Sequence, residues 1–191
     1  MALTNTTKFA NRYGLDLQVF AYTDGTIAED ATPLMTVDFA NSCALDISGE
    51  RVWATGGQEH ANMIGFNNPI QGTLTVSTQV MTSQLLALIS GSEDLTETDT
   101  ITFKNDAITA PKYFTIKAAT VWQDKAGAVY SELMTFAKVS PQKAYNVTYT
   151  GDGDPTSIDV VFDVLQADNG EVLIINKTAG AENGSLTQPT V

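Results

Sequence analysis

The residues able to do chemistry are few and poorly grouped. His60 is the single histidine, and its nearest acid, Glu59, is its chain neighbour in a glycine-bracketed stretch. A general base needs a partner held by a defined scaffold, and this pair has none. No His-Glu-x-x-His pair, glycine-rich phosphate cradle or serine elbow accompanies it. Asp152-Gly153-Asp154 opens like a calcium loop, but Pro155 follows and the later ligand positions do not continue, so the segment reads as a turn. Cys43 is alone, which excludes an internal disulfide and a thiolate metal site and favours a reducing compartment. The reading therefore assigns no catalytic, metal or cofactor-binding residue. Trp53 and Trp122, with Tyr113 and Tyr130 nearby, could make an aromatic platform for a sugar. Trp122 ends an alternating strand and fits an inward or cross-strand role better; Trp53 fits either a subunit contact or packing over its own sheet.

These side chains sit in a chain of 191 residues with 10 Lys plus Arg against 22 Asp plus Glu, a formal charge of −12. The length suits one domain that buries about 70% of its extended surface. Such a charge repels phosphate and argues against sequence-reading or packaging of nucleic acid. The start lacks an apolar signal core, and no apolar run reaches the roughly 18 residues of a membrane span, so a soluble protein is expected. Charged residues are only 17%. That low fraction suits either surface buried between subunits or a polar Thr/Ser/Asn-rich β surface.

Alternation with period two marks most elements as strands. Leu15 to Phe20 reads as the first, followed by an Asp24-Gly25 turn, and Cys43 to Ile47 as another. Periodicity then dissolves among Gly49, Gly56-Gly57, Gly65 and Asn67-Asn68-Pro69, which predicts a long inter-strand loop or excursion over residues 49–72. Connections of that length usually have a task. Gly72 to Gln79 reads as a strand with a hydroxyl face. Leu85, Leu88 and Ile89 then fall three and four apart between a Thr82 or Ser83 cap and Gly91, which predicts one short helix laying that stripe on a sheet. Glu93, Asp94, Glu97 and Asp99 follow as an acidic run. Thr100 to Phe103 reads as a strand, and Tyr113 to Trp122 with Ala128 to Phe136 as a hairpin turned at Asp124-Lys125-Ala126-Gly127 and stopped by Pro141. Tyr145 to Tyr149, Ser157 to Val164 and Glu171 to Asn176 complete the strands, the last entered through Asp168-Asn169-Gly170. Eight or nine strands and one helix predict a mainly β fold, a β-sandwich or partly closed barrel with a flanking helix. Residues 1–177 form that domain, and residues 178–191 an arm that is flexible or ordered on assembly.

The order of elements resembles the major tail tube proteins of long-tailed, siphovirus-like bacteriophages, especially those of Gram-positive hosts. The resemblance rests on Arg51-Val52-Trp53-Ala54-Thr55-Gly56-Gly57-Gln58, on Phe66-Asn67-Asn68-Pro69-Ile70-Gln71-Gly72 running into Thr73 to Val80, and on the helix ending at Gly91. The later hairpin, Phe136-Ala137-Lys138-Val139-Ser140-Pro141 and the strand through Phe162 add to it. It implies a structural virion protein without enzymatic activity: hexameric rings of identical subunits, stacked into a tube that guides tail assembly and conducts DNA during ejection without sequence-specific binding. The implied partners are further copies of the chain, a tape-measure protein and tail-terminator or baseplate proteins, with no membrane. The implied location is the virion tail after assembly in the host cytoplasm. The 49–72 loop would reach an adjacent subunit or ring, with Trp53, Gly56, Gly57, Gln58, His60, Met63 and Phe66 as contact candidates. Glu93, Asp94, Glu97 and Asp99 are candidates for the charge of an acidic or polar lumen.

Two physical expectations agree with this. Unpaired strand edges favour pairing between subunits, and a wall without cations lets a polyanion move. The competing readings are a virion decoration or carbohydrate-binding β module, with an exposed aromatic face, and a β-sandwich hydrolase using a carboxylate pair brought together in space.

Overall fold

The structure, a computed structural model, describes residues 9–24, 27, 31–37, 40–56, 61–91, 100–103, 112–142 and 157–179. Among them are ten strands and one helix: β1 (Phe9–Ala21), β2 (Met35–Val37), β3 (Ala40–Ser48), β4 (Arg51–Gly56), β5 (Ala61–Asn67), β6 (Gln71–Thr78), α1 (Ser83–Ser90), β7 (Phe114–Asp124), β8 (Val129–Pro141), β9 (Ile158–Leu165) and β10 (Leu173–Ala179). The fold is mainly β, as the alternation predicts, with one short helix.

Eight strands form one antiparallel sheet that does not close, in the order β2-β1-β7-β8-β9-β6-β3, with β10 paired to β8. The long strand β8 is the pivot. Along one edge it pairs with β7; along the other, Tyr130 to Phe136 pair with β10 and Lys138 to Pro141 with β9. The change of partner falls at Ala137, whose N–H donates to the Val172 carbonyl at 3.1 Å. One strand thus serves two half-sheets, β2-β1-β7-β8-β10 and β8-β9-β6-β3, an arrangement consistent with a β-sandwich.

The core lies where inward positions of both halves meet: Leu17 and Val19 of β1, Leu74 and Val76 of β6, Ile116 of β7, Phe136 and Val139 of β8, and Val160, Phe162 and Val164 of β9. Helix α1 adds Leu85, Leu88 and Ile89, all buried, so the predicted stripe packs as expected. Each such side chain contributes about 1.5–3 kcal/mol of burial free energy. The helix is short enough to need its caps. The Thr82 hydroxyl accepts from the Leu85 N–H at 3.2 Å, and Gly91 takes the left-handed conformation, φ 79°, that closes the last turn.

The β7–β8 hairpin turns where predicted. The Asp124 carboxylate accepts from the N–H groups of Ala126 and Ala128 at 2.9 and 2.8 Å, and Gly127 supplies φ 89°. β8 ends at Pro141, which is still paired opposite Phe162, and the Gln142 N–H beyond it donates to the Val161 carbonyl at 2.8 Å, so the strand runs through the proline before it stops.

Three expectations change. Of the expected 49–72 loop, Gln71 and Gly72 already belong to β6 in the main sheet, and most of the described remainder is not irregular chain: β4 and β5 form a separate antiparallel hairpin, with Val52 opposite Phe66, Trp53 opposite Gly65 and Ala54 opposite Ile64. A register shift between Ala54 and Thr55 breaks the two-residue period and hides the strands from a pattern search. Thr100 to Phe103 carry β-prone residues without strand structure, because strand preference expresses cross-strand packing and these residues lie in no ladder. β10 runs to Ala179, so Thr178 and Ala179 belong to the sheet and not to an arm. Asp24 does sit in a turn, φ 46°, although the β1 partner β2 starts only at Met35. The expected strand Tyr145 to Tyr149 and the Asp152-Gly153-Asp154 turn lie outside the described residues.

Candidate functional site

The outer face of β3, β6 and β9 is the most distinctive surface in the described structure. Antiparallel register aligns its outward positions in rows: Ser42, Ser77 and Asp159; Ala44, Thr75 and Val161; Asp46, Thr73 and Asp163; Ser48 and Gln71. The intervening positions Leu74, Val76, Val160, Phe162 and Val164 are buried in the core, which fixes the direction of the polar set. Three aspartates and a field of hydroxyls result, and none of the three strands contains Lys, Arg or His.

Ser77 donates to Asp159, and the Gln142 amide donates to Asp163 at 2.7 Å. Both carboxylates are thereby held by neutral donors that leave their charge uncancelled. Asp46 and Asp163 stand two strands apart across Thr73, about 10 Å by strand spacing. At this end of the face the strands border an open groove of about 390 Å³ lined by Asp46, Ser48, Gln71, Gly72, Thr73 and Asp163 together with Val164 and Leu165. Gly72 makes the close approach of β3 possible: a Cβ there would lie 2.4 Å from the Asp46 carbonyl oxygen and 2.9 Å from Ile47 Cγ1.

Beside this face β3 is an edge strand, paired among the described strands only with β6. It carries Leu45, 37% exposed, despite that residue's alignment with the buried Leu74. The β4–β5 hairpin leaves from its end. Its base is tied by the Arg51 guanidinium donating to Asn67 Oδ1 at 3.0 Å and by the Asn68 N–H donating to the Glu50 carbonyl at 2.8 Å. A lone two-stranded ribbon is marginally stable in water, so this hairpin is the natural place for a contact.

Trp53 and Gly56 fall in β4, and Met63 and Phe66 in β5, so these four contact candidates share one ribbon. Gly57, Gln58 and His60 lie outside the described residues, as do Glu93, Asp94, Glu97 and Asp99. Of the aromatics considered for a platform, the Trp53 side chain lies outside the described residues, and Tyr113 is remote from the Trp122–Tyr130 pair. Tyr113 just precedes β7 and Trp122 lies near its far end, about 30 Å away by strand rise; Tyr130 is buried, facing Trp122 across the ladder.

A second cluster was not legible beforehand. The Lys138 ammonium lies 4.9 and 4.5 Å from the ring centres of Tyr22 and Tyr113, which meet edge-on, and pairs with Asp168 at 3.2 Å. Tyr22 also accepts from the Asp168 N–H at 3.2 Å. Three separated chain segments, at Tyr22, Tyr113 and Lys138, thereby fasten the β9–β10 turn, and the cage is filled by the protein's own cation. Partial desolvation lowers the Lys138 pKa, but the hydrogen bond and charge of Asp168, aided by the two tyrosines, leave it above the usual lysine value.

Burial raises the Cys43 thiol to about 11, which keeps it protonated at neutral pH. The chain matches no protein-family model, and no curated protein matches it.

Proposed function

We propose that this protein is the structural subunit of a bacteriophage tail tube, assembling into hexameric rings that stack around a polar, acidic bore through which DNA passes. The observation that carries the reading is the cation-free outer face of β3, β6 and β9 with Asp46, Asp159 and Asp163. Binding phosphate releases counterions and holds DNA in proportion to the cations that contact it, so a conduit needs a wall that offers none. Hydroxyls and carboxylates hydrate such a wall, and the overall charge of −12 extends the same sign over the molecule.

Ring closure and stacking need further surfaces. The β3 edge offers a row of backbone groups to a neighbour, and the β4–β5 hairpin offers an arm that leaves the sheet. In this reading the arm touches an adjacent subunit or ring, and the tape-measure, terminator or baseplate partners follow from the same assignment.

The test is microscopy of the purified protein over a concentration series, followed by helical reconstruction. Uniform hollow tubes, with the β3-β6-β9 face toward the bore and the hairpin against another copy, are the expected result. A chain that stays monomeric at high concentration, or tubes whose bore is lined by another face, would overturn the proposal.

A further inference from the structure

The register of β10 is poorly specified by its apolar residues. Val172, Leu173, Ile174 and Ile175 are contiguous, so a shift of one residue against β8 still presents large apolar side chains to the core side. The strand is also thinly anchored: it pairs only with β8 among the described strands, and Ile175 is 51% exposed. Edge strands of this kind are prone to slippage and misjoined pairing.

One feature of the ladder is sensitive to register. Glu132 shares the face of β8 that carries Met134 and the core residue Phe136, and is 5% exposed. Directly opposite stands Lys177, the only cation of β10, at 2.9 Å. The Lys177 ammonium also lies 5.1 Å from the Trp122 ring centre, on β7 beyond β8. A shift of one residue would set Asn176 or Thr178 opposite Glu132; a shift of two would set Ile175 or Ala179 there. Each alternative leaves a buried carboxylate without its counter-charge, which is far costlier than the exchange of one apolar neighbour for another.

We infer that the Glu132–Lys177 pair is a register lock for β10, retained for uniqueness of pairing. Glu132 is buried while the Lys177 side chain is 30% exposed, so the cost of mispairing falls on the carboxylate; fixing register is the best-attested use of such pairs, whose net contribution to stability is often small. The β9–β10 turn, held by Lys138 and Tyr22, limits how far the strand can travel, and the ion pair selects among the positions that remain.

Cross-strand disulfide trapping in the full chain carrying Cys43→Ser tests this. Ser131→Cys with Thr178→Cys reports the native register, and Ser131→Cys with Asn176→Cys reports a two-residue slip. In the neutral variant Glu132→Gln/Lys177→Met, native trapping should fall at least threefold and slipped trapping should rise. In the exchanged variant Glu132→Lys/Lys177→Glu, native trapping should remain at the parental yield. Parental trapping in the neutral variant would overturn the inference, as would loss of register in the exchanged one. A neutral variant that fails to fold, by circular dichroism, would assign the pair to stability and overturn the inference as well.

Discussion

Reversing one charge on the β3-β6-β9 face should slow DNA in the proposed tube by a calculable amount. Asp46 is exposed and its carboxylate makes no hydrogen bond or ion pair among the described residues, so Asp46→Lys perturbs the field more than the fold. For a lysine about 10 Å from a phosphate, the interaction is about 0.4 kcal/mol in water and about 0.1 kcal/mol after screening at physiological ionic strength. The swing from −1 to +1 doubles this. With six subunits in the proposed ring, the change is about 1.4 kcal/mol per ring, roughly a tenfold longer residence of the DNA segment inside it. Repeated along a stack of rings, the retardation should be plain in the rate of DNA ejection from assembled particles, and should weaken as salt is raised from 50 to 200 mM. Asp46→Asn should give about half the effect in free energy. Tubes of Asp46→Lys that assemble normally and eject at the parental rate at every salt concentration would refute the placement of this face on the bore.

The other predictions concern the fold. Gly72→Ala forces a Cβ against the Asp46 carbonyl and should destabilise by about 1–3 kcal/mol in urea unfolding, with the β3 amides losing hydrogen-exchange protection first. Leu88→Ala removes a fully buried helix side chain and should cost about 2–5 kcal/mol, against about 1 kcal/mol for Thr82→Ala, which removes only the cap; equal losses would contradict the packing described. Cys43 should react with a thiol reagent at pH 8 about a hundredfold more slowly than the same residue in the urea-unfolded chain, because raising the thiol pKa from 9.0 to about 11 lowers the thiolate fraction by that factor. Lys138 has its pKa raised by folding, so its contribution is fully present below the unfolded lysine value and is lost as pH rises through the higher folded value. Asp168→Asn should therefore flatten the alkaline limb of stability against pH, and an unchanged limb would place the Lys138 ammonium elsewhere.

Most of the strands, the helix with both caps, and the turns at Asp124 and Asp168 were readable because their signals are local. Thr82 caps an amide three residues away, and Asp124 accepts from amides two and four residues on. The β4–β5 hairpin was missed because its register shift and glycines erase the alternation that marks a strand, while its backbone ladder forms regardless. Thr100 to Phe103 failed in the opposite sense: strand-prone residues that do not form a strand. In the candidate site, the acids drawn from the chain were a run of near neighbours, whereas the acids the described structure gathers come from β3 and β9, more than a hundred residues apart. Nothing in the local spacing of Asp46 and Asp163 announces that both flank Thr73.

The amino-acid sequence by itself determined the mainly β character, the position of the helix, the turn chemistry and the acidic balance, since each depends on residue types or on neighbours a few positions away. Tertiary structure alone decided that β8 serves two half-sheets, that Asp46, Asp159 and Asp163 share one face, and that Lys177 meets the buried Glu132. The physical reason is that a strand's alternation states which side is apolar and is silent on which strand will complete its hydrogen bonds; that choice belongs to the packing of the whole chain.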